Sequence, residues 1–213
     1  MNSEEIVQKA TGELKEDFRK NKDCFFNEHD LHHVFFCKLS QLGNRVRPEY
    51  PTRRRFFTDK EDSPEYIKGK HSFPPRGENV PKRSRRGHYD FAILGEEFYL
   101  EFKGLSDRFE RLSSKNVDTN LDQEGRKYVD IAIEFKYITG QCQRENIEFC
   151  LFKLKEAEEV RKKIFLVFIR KEGMNPERYQ KIINFLNRVK EESKDEIEMD
   201  IIEHDDDRQV LFS

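Results

Sequence analysis

Residues 128–138 read YVDIAIEFKYI, a run rich in β-branched and aromatic residues with apolar side chains at both parities. Side chains alternate between the two faces of a strand, so a strand of this composition needs cover on both sides. It predicts a central strand in a sheet. One parity carries Val129, Ile131, Ile133, Phe135 and Tyr137; the other carries Asp130, Ala132, Glu134 and Lys136. A carboxylate two residues from a lysine in such a strand is costly to bury unless the charges are paired or hold a metal.

The flanking segments supply the cover. Ile6, Ala10, Leu14 and Phe18 recur every fourth residue, which predicts an amphipathic helix over 4–20. Leu31, Val34, Phe35, Leu39 and Leu42 predict a second helix over 27–42, capped by Asn27 and closed by Gly43. Residues 45–50 suit a short strand. HYDFAIL (88–94) and EFYLEFK (97–103) flank Gly95–Glu96, the pattern of a two-residue β-hairpin. Residues 105–127 are polar and predict a loop. A helix over 143–160, an apolar strand over 163–170, a helix from Asn175–Pro176 to 193, and closing strands over 196–203 and 209–212 complete the order. Strands alternating with helices predict an α/β fold in one domain spanning 1–213, a mixed β-sheet flanked by helices.

Charge is unevenly spread. The chain has 40 Lys and Arg against 42 Asp and Glu, but residues 45–88 hold 13 basic residues against 6 acidic ones. Within them, 52–87 carries Pro64, Pro74, Pro75, Pro81, Gly69 and Gly77 with no sustained period, which predicts a long basic loop. A basic segment on an acidic body points to a polyanionic partner. No apolar run approaches the length of a membrane helix, and MNSEEIVQKA lacks the basic-then-apolar build of a signal peptide. Cys24, Cys37, Cys142 and Cys150 form no CxxC pair, so free thiols in a reducing cytoplasm are expected.

Asp90 opens an apolar strand directly after Arg85 and Arg86, and Glu134 and Lys136 lie in the central strand. With those strands adjacent, Asp90 and Glu134 converge on one divalent cation of the Mg²⁺ or Mn²⁺ kind. An acidic residue opening one strand, then Glu-x-Lys in an apolar neighbour, resembles the PD-(D/E)xK nuclease superfamily. The residues that carry the resemblance are HYDFAIL and AIEFKYI, preceded by an acidic helix with Glu28 in NEHDLHHVFF and followed by a helix and an apolar strand. It covers about residues 25–170. Tyr89 stands before Asp90 where the motif has proline.

The resemblance implies a restriction-endonuclease-like three-layer sandwich and a metal-dependent nuclease acting on DNA, with RNA as a second substrate class. It further implies a metal held by Asp90 and Glu134, Lys136 orienting the attacking water or offsetting charge, and Glu28 as a supporting carboxylate. Arg53, Arg54, Arg55, Arg83, Arg85 and Arg86 would neutralise phosphates, and a homodimer would serve cutting of both strands. A second Glu-x-Lys, Glu101 and Lys103, competes for the role, because a turn at Gly95–Glu96 would set Glu101 directly opposite Asp90. His29 and His33 stand four apart on the second helix, a zinc-capable spacing without a third ligand in view. The alternative to an enzyme is a non-catalytic module of the same fold that binds nucleic acid or a protein.

Overall fold

The structure, a computed structural model, describes residues 2–21, 24–57, 84–103, 127–140 and 144–204, with backbone only at 51, 53–57, 84–86 and 101–103. Helix α1 (Ser3–Lys20) starts in a capping box, in which Asn2 and Glu5 each accept the other's backbone N–H. Helix α2 (Glu28–Lys38) is capped the same way by Asn27 and Asp30. It ends earlier than its periodicity predicts, tightening into a 3₁₀ turn (Ser40–Arg45) with Gly43 at φ 52° inside it. Then follow β1 (Val46–Phe57), β2 (Ser84–Leu94), α3 (Glu96–Lys103), β3 (Val129–Ile138), α4 (Arg144–Lys155), β4 (Val160–Ile169), α5 (Pro176–Ser193) and β5 (Glu198–Glu203).

The five strands form one mixed sheet in chain order, with β3 at its centre. β1, β2 and β3 run antiparallel in turn, whereas β3, β4 and β5 are parallel. The two parallel connections step the same way across the sheet, so a common handedness puts α4 and α5 on one face. That face buries Ile147, Cys150, Leu151 and Leu154 of α4 with Ile182, Phe185, Leu186 and Val189 of α5. The other face is covered by α1 and α2, through Ile6, Val7, Ala10, Leu14, Phe18, Leu31 and Phe35. The expected α/β architecture, a mixed sheet with helices on both faces, is therefore present.

Three expectations change. The segment 97–103 is helical, not the return strand of a hairpin, because β3 already occupies the edge of β2, with Leu94 paired to Val129. Gly95 turns the chain there, donating to the Tyr128 carbonyl, and Phe98 stacks on Tyr128 at 5.0 Å. A Cβ at Gly95 would meet the Asp130 carboxylate at 3.3 Å, a tight approach that would require Asp130 to shift by a few tenths of an ångström. The basic stretch expected as one loop begins and ends in strand, since β1 runs to Phe57 and β2 starts at Ser84. Lastly, a register shift between Ile93 and Leu94 moves Val129 into the α4/α5 core, away from Ile131, Ile133 and Phe135. The closing strand expected at 209–212 and the loop at 105–127 lie outside the described residues, apart from Lys127.

Phe18 ties α1 to the sheet, with its ring 5.0 Å from Phe168 and 6.1 Å from Tyr137, each edge-on. Phe18→Ala is expected to cost about 3–5 kcal/mol of unfolding free energy in urea, as for other buried aromatic truncations. A loss below 1 kcal/mol would mean that α1 is not part of the core.

Candidate functional site

Pairing between β2 and β3 runs from Leu94↔Val129 to Phe91↔Ile133 and stops. Beyond Phe91, β2 continues beside β1 alone among the described residues, and the edge of β3 past Ile133 has no strand partner among them. Amides two residues apart on a strand point to the same edge, and buried amides need acceptors. Two carboxylates from outside the strand serve. Asp90 Oδ2 accepts from the Phe135 N–H at 2.6 Å, and Glu28 Oε2 accepts from the Tyr137 N–H at 3.1 Å.

Asp90 is turned toward this gap by a break in the strand. Tyr89 and Phe91 are two apart yet lie in opposite cores, so the alternation of β2 fails between them. On β1, Glu49 lies between the residues paired to Phe91 and Tyr89 and adopts φ 50°, uncommon for a residue with a Cβ. Such irregularities re-aim side chains next to sites.

Glu28 sits at the start of α2, and His32 follows one turn later on the same side. The His32 ring stands edge-on to Phe91 at 5.5 Å and Phe135 at 5.1 Å, which fixes its direction. Its Nε2 lies 3.7 Å from Asp90 Oδ2, beyond hydrogen-bond length, and is buried with no hydrogen-bond partner among the described residues. Glu28, His32 and Asp90 each offer a ligand atom within 4.8 Å of the others. Lys136 Nζ is 2.9 Å from Glu28 Oε1.

Behind this group lies a second ion pair. The Glu134 side chain is 2% exposed and its Oε1 is 2.7 Å from Lys153 Nζ on α4. Lys153 also donates to the His88 carbonyl. Burial pushes the Glu134 carboxyl up to about 7; Lys153 pulls it back only in part, and the Asp90 charge adds to the rise. Burial likewise lifts Asp90, against the Phe135 amide and the neighbouring His32, Lys136 and Lys153. Burial works against the charge on Lys136, yet the Glu28 and Asp90 carboxylates hold its ammonium above the ordinary value. Carboxyls lifted by crowding and burial are a store of affinity for a cation.

The structure thus brings Asp90, Glu28 and Lys136 together, and it changes the company of Glu134. Its charged partner is Lys153, while the trio around Asp90 is completed by Glu28 and His32. Glu101 and Lys103 fall in α3, past the far end of β2, so the expected cross-hairpin position opposite Asp90 does not exist. Arg53, Arg54 and Arg55 lie on β1, and Arg85 and Arg86 on the part of β2 paired only with β1. Arg83 lies outside the described residues. His33 is exposed, and His29 meets the site only through ring contact with His32 at 5.8 Å. Asp130, the other carboxylate of β3, is structural: Arg45 at 2.8 Å and Arg161 at 3.4 Å hold it beside a cleft of about 500 Å³ at the opposite end of the strand.

Sequence reasoning missed His32 and Lys153. The signal for His32 was its four-residue spacing from Glu28, overshadowed by the His29–His33 pair at the same spacing. Lys153 stood three residues after Cys150 on the apolar side of its helix, where a lysine has no business without a partner. Comparison of the chain with protein-family models, curated sequences and solved structures gives no significant match.

Removing one partner of a buried ion pair strands the other. Lys153→Met is expected to cost about 3–5 kcal/mol in urea unfolding, with much of the loss recovered in the Glu134→Gln/Lys153→Met double variant. Equal losses for the single and double variants would show that the charge pairing is not the cause. A carboxyl raised by folding gives stability below its unfolded pKa and loses it as pH rises through the folded one. In EDTA, stability should therefore fall between about pH 4.5 and 7, by on the order of 1–3 kcal/mol from this group. Glu134→Gln should flatten that decline.

Proposed function

We propose that the chain is a metal-dependent nuclease of the PD-(D/E)xK type, with a restriction-endonuclease-like sandwich, hydrolysing phosphodiester bonds in DNA. The observation that carries the reading is the meeting of Asp90, Glu28, His32 and Lys136 where β2 parts from β3. The element order supports it as well: an acidic helix, the Asp90 strand, the Glu-x-Lys strand, a helix, then a parallel apolar strand.

A Mg²⁺ or Mn²⁺ ion fits the donors present, since two carboxylates and an unpartnered imidazole nitrogen lie within reach of one point. When bound, it supplies Lewis-acid polarisation of the phosphate and a more acidic water. The chain's own residues do the rest. The Phe135 amide orients Asp90, and the Tyr137 amide orients Glu28. Lys136, held protonated, offsets negative charge building on the phosphate oxygens. Glu134 contributes its charge from behind, through Lys153, and not a ligand atom. That is a departure from the ligand pair Asp90 and Glu134 that the resemblance implies.

The arginines favour a polyanion. The register sets Arg55 opposite Arg86 and Phe56 opposite Arg85 on a two-stranded ribbon that leads to Asp90. Arginines carried on both strands of a ribbon suit a polyanion, whose phosphates they can neutralise. A two-stranded ribbon fits the major groove of duplex DNA, which favours DNA over RNA. One observation favours the non-catalytic alternative: Lys136 and Lys153 both have carboxylate partners inside the protein.

Supercoiled plasmid should be nicked with Mn²⁺ or Mg²⁺ and spared with EDTA. Lys136→Ala is expected to slow cutting by about 10²-fold or more while DNA binding persists. Lys103→Ala should cut normally. Binding without cutting under every metal favours the module, and undiminished cutting by Lys136→Ala removes the assignment.

A further inference from the structure

The donor set around Asp90 differs from an all-oxygen site in one atom, and that atom discriminates between cations. We propose that His32 Nε2 is a metal ligand and that the Glu28–His32–Asp90 site takes a divalent first-row transition cation, of the Mn²⁺ class, in preference to Mg²⁺. The inference rests on reading this trio as the cation site of the proposed nuclease, and it adds the identity of the ion.

Three observations carry it. His32 Nε2 is buried, has no hydrogen-bond partner among the described residues and stands 3.7 Å from Asp90 Oδ2. Two atoms that each lie about 2.1 Å from one octahedral ion are about 3.0 Å apart when adjacent and about 4.2 Å when opposite. The observed separation falls between these, so a small rotation of either side chain seats both on one ion. Next, the ring is not free to turn away. Phe91 and Phe135 hold it edge-on, and its helix is anchored by the Asn27–Asp30 capping box one turn earlier. An imidazole nitrogen left buried without a partner costs free energy unless a ligand satisfies it. Third, the chemistry of the set is mixed. The two carboxylates alone would suit Mg²⁺, a hard ion that demands oxygen donors and parts reluctantly with water. A nitrogen donor shifts affinity along the transition series, in which every member exceeds Mg²⁺ for such a site. Lys136, at 2.9 Å from Glu28, offsets part of the carboxylate charge, so the neutral nitrogen donor contributes to holding the ion without adding charge.

The test needs no nucleic acid. Mn²⁺ and Mg²⁺ are titrated separately into the metal-free protein by calorimetry. Mn²⁺ is expected to bind at least tenfold more tightly, and His32→Gln should weaken Mn²⁺ by tenfold or more while changing Mg²⁺ less. Electron spin-echo envelope modulation of the wild-type Mn²⁺ complex should show coupling to an imidazole nitrogen that His32→Gln abolishes. This readout stands even if the variant is poorly folded, because the wild-type spectrum alone is decisive when it lacks nitrogen. Equal affinity for the two ions, no nitrogen coupling, or coupling that persists in a folded His32→Gln protein overturns the proposal. Nitrogen-coupled Mn²⁺ without any DNA cutting leaves this inference standing and removes the nuclease reading. Cutting with Mg²⁺ as fast as with Mn²⁺ and no nitrogen coupling does the reverse.

Discussion

Two backbone amides on the edge of β3, those of Phe135 and Tyr137, must find acceptors where the pairing of β2 with β3 has ended and β2 runs on beside β1. Buried amides are almost never left unpaired, so this requirement is as strict as any packing constraint. The chain meets it with carboxylates, Asp90 from β2 and Glu28 from α2. Both groups are thereby drawn into a half-buried gap, where burial lifts the Asp90 carboxyl. The features of the site go with that choice: the lifted Asp90 carboxyl, the lysine beside Glu28, and the histidine set edge-on to two phenylalanines with a nitrogen 3.7 Å from Asp90.

The three ionisable residues on one parity of β3 meet three different fates, and position along the strand decides which. Asp130, at the start, is clasped by Arg45 and Arg161 beside the Gly95 turn and secures the chain's passage from β2 into α3. Glu134, in the middle, lies where cover is complete and is tolerated only against Lys153. Lys136, two residues on, reaches past the end of β2 pairing to Glu28. A carboxyl near neutrality sits behind a fully protonated ammonium, so the electrostatic state of the gap is set by residues from four elements at once.

The ribbon formed by β1 and β2 extends the same geometry outward. The break in alternation at Asp90 and the positive φ of Glu49 occur at the point where the five-stranded sheet becomes a two-stranded arm. Arg55 and Arg86 are backbone register partners across that arm. In the proposed nuclease reading, the Glu28–His32–Asp90 group would lie at the root of this arginine-bearing ribbon.

The sequence by itself determined what local physics controls. The two-sided composition of 128–138 dictated a covered central strand, the four-residue stripes dictated α1, α4 and α5, and Asn27 and Asn175 marked helix starts. Asp90, Glu134 and Lys136 were conspicuous because charges seldom interrupt such strands. Only the tertiary structure decided the pairings. The segment 97–103 reads as the return strand of a hairpin, yet it is a helix, because β3 occupies the edge of β2, a contact across more than thirty residues. His32 gained meaning from Asp90, and Lys153 from Glu134, partners separated by 58 and 19 positions in the chain. Periodicity reports which face of an element is buried; it carries no information about which charged groups from other elements will be waiting there.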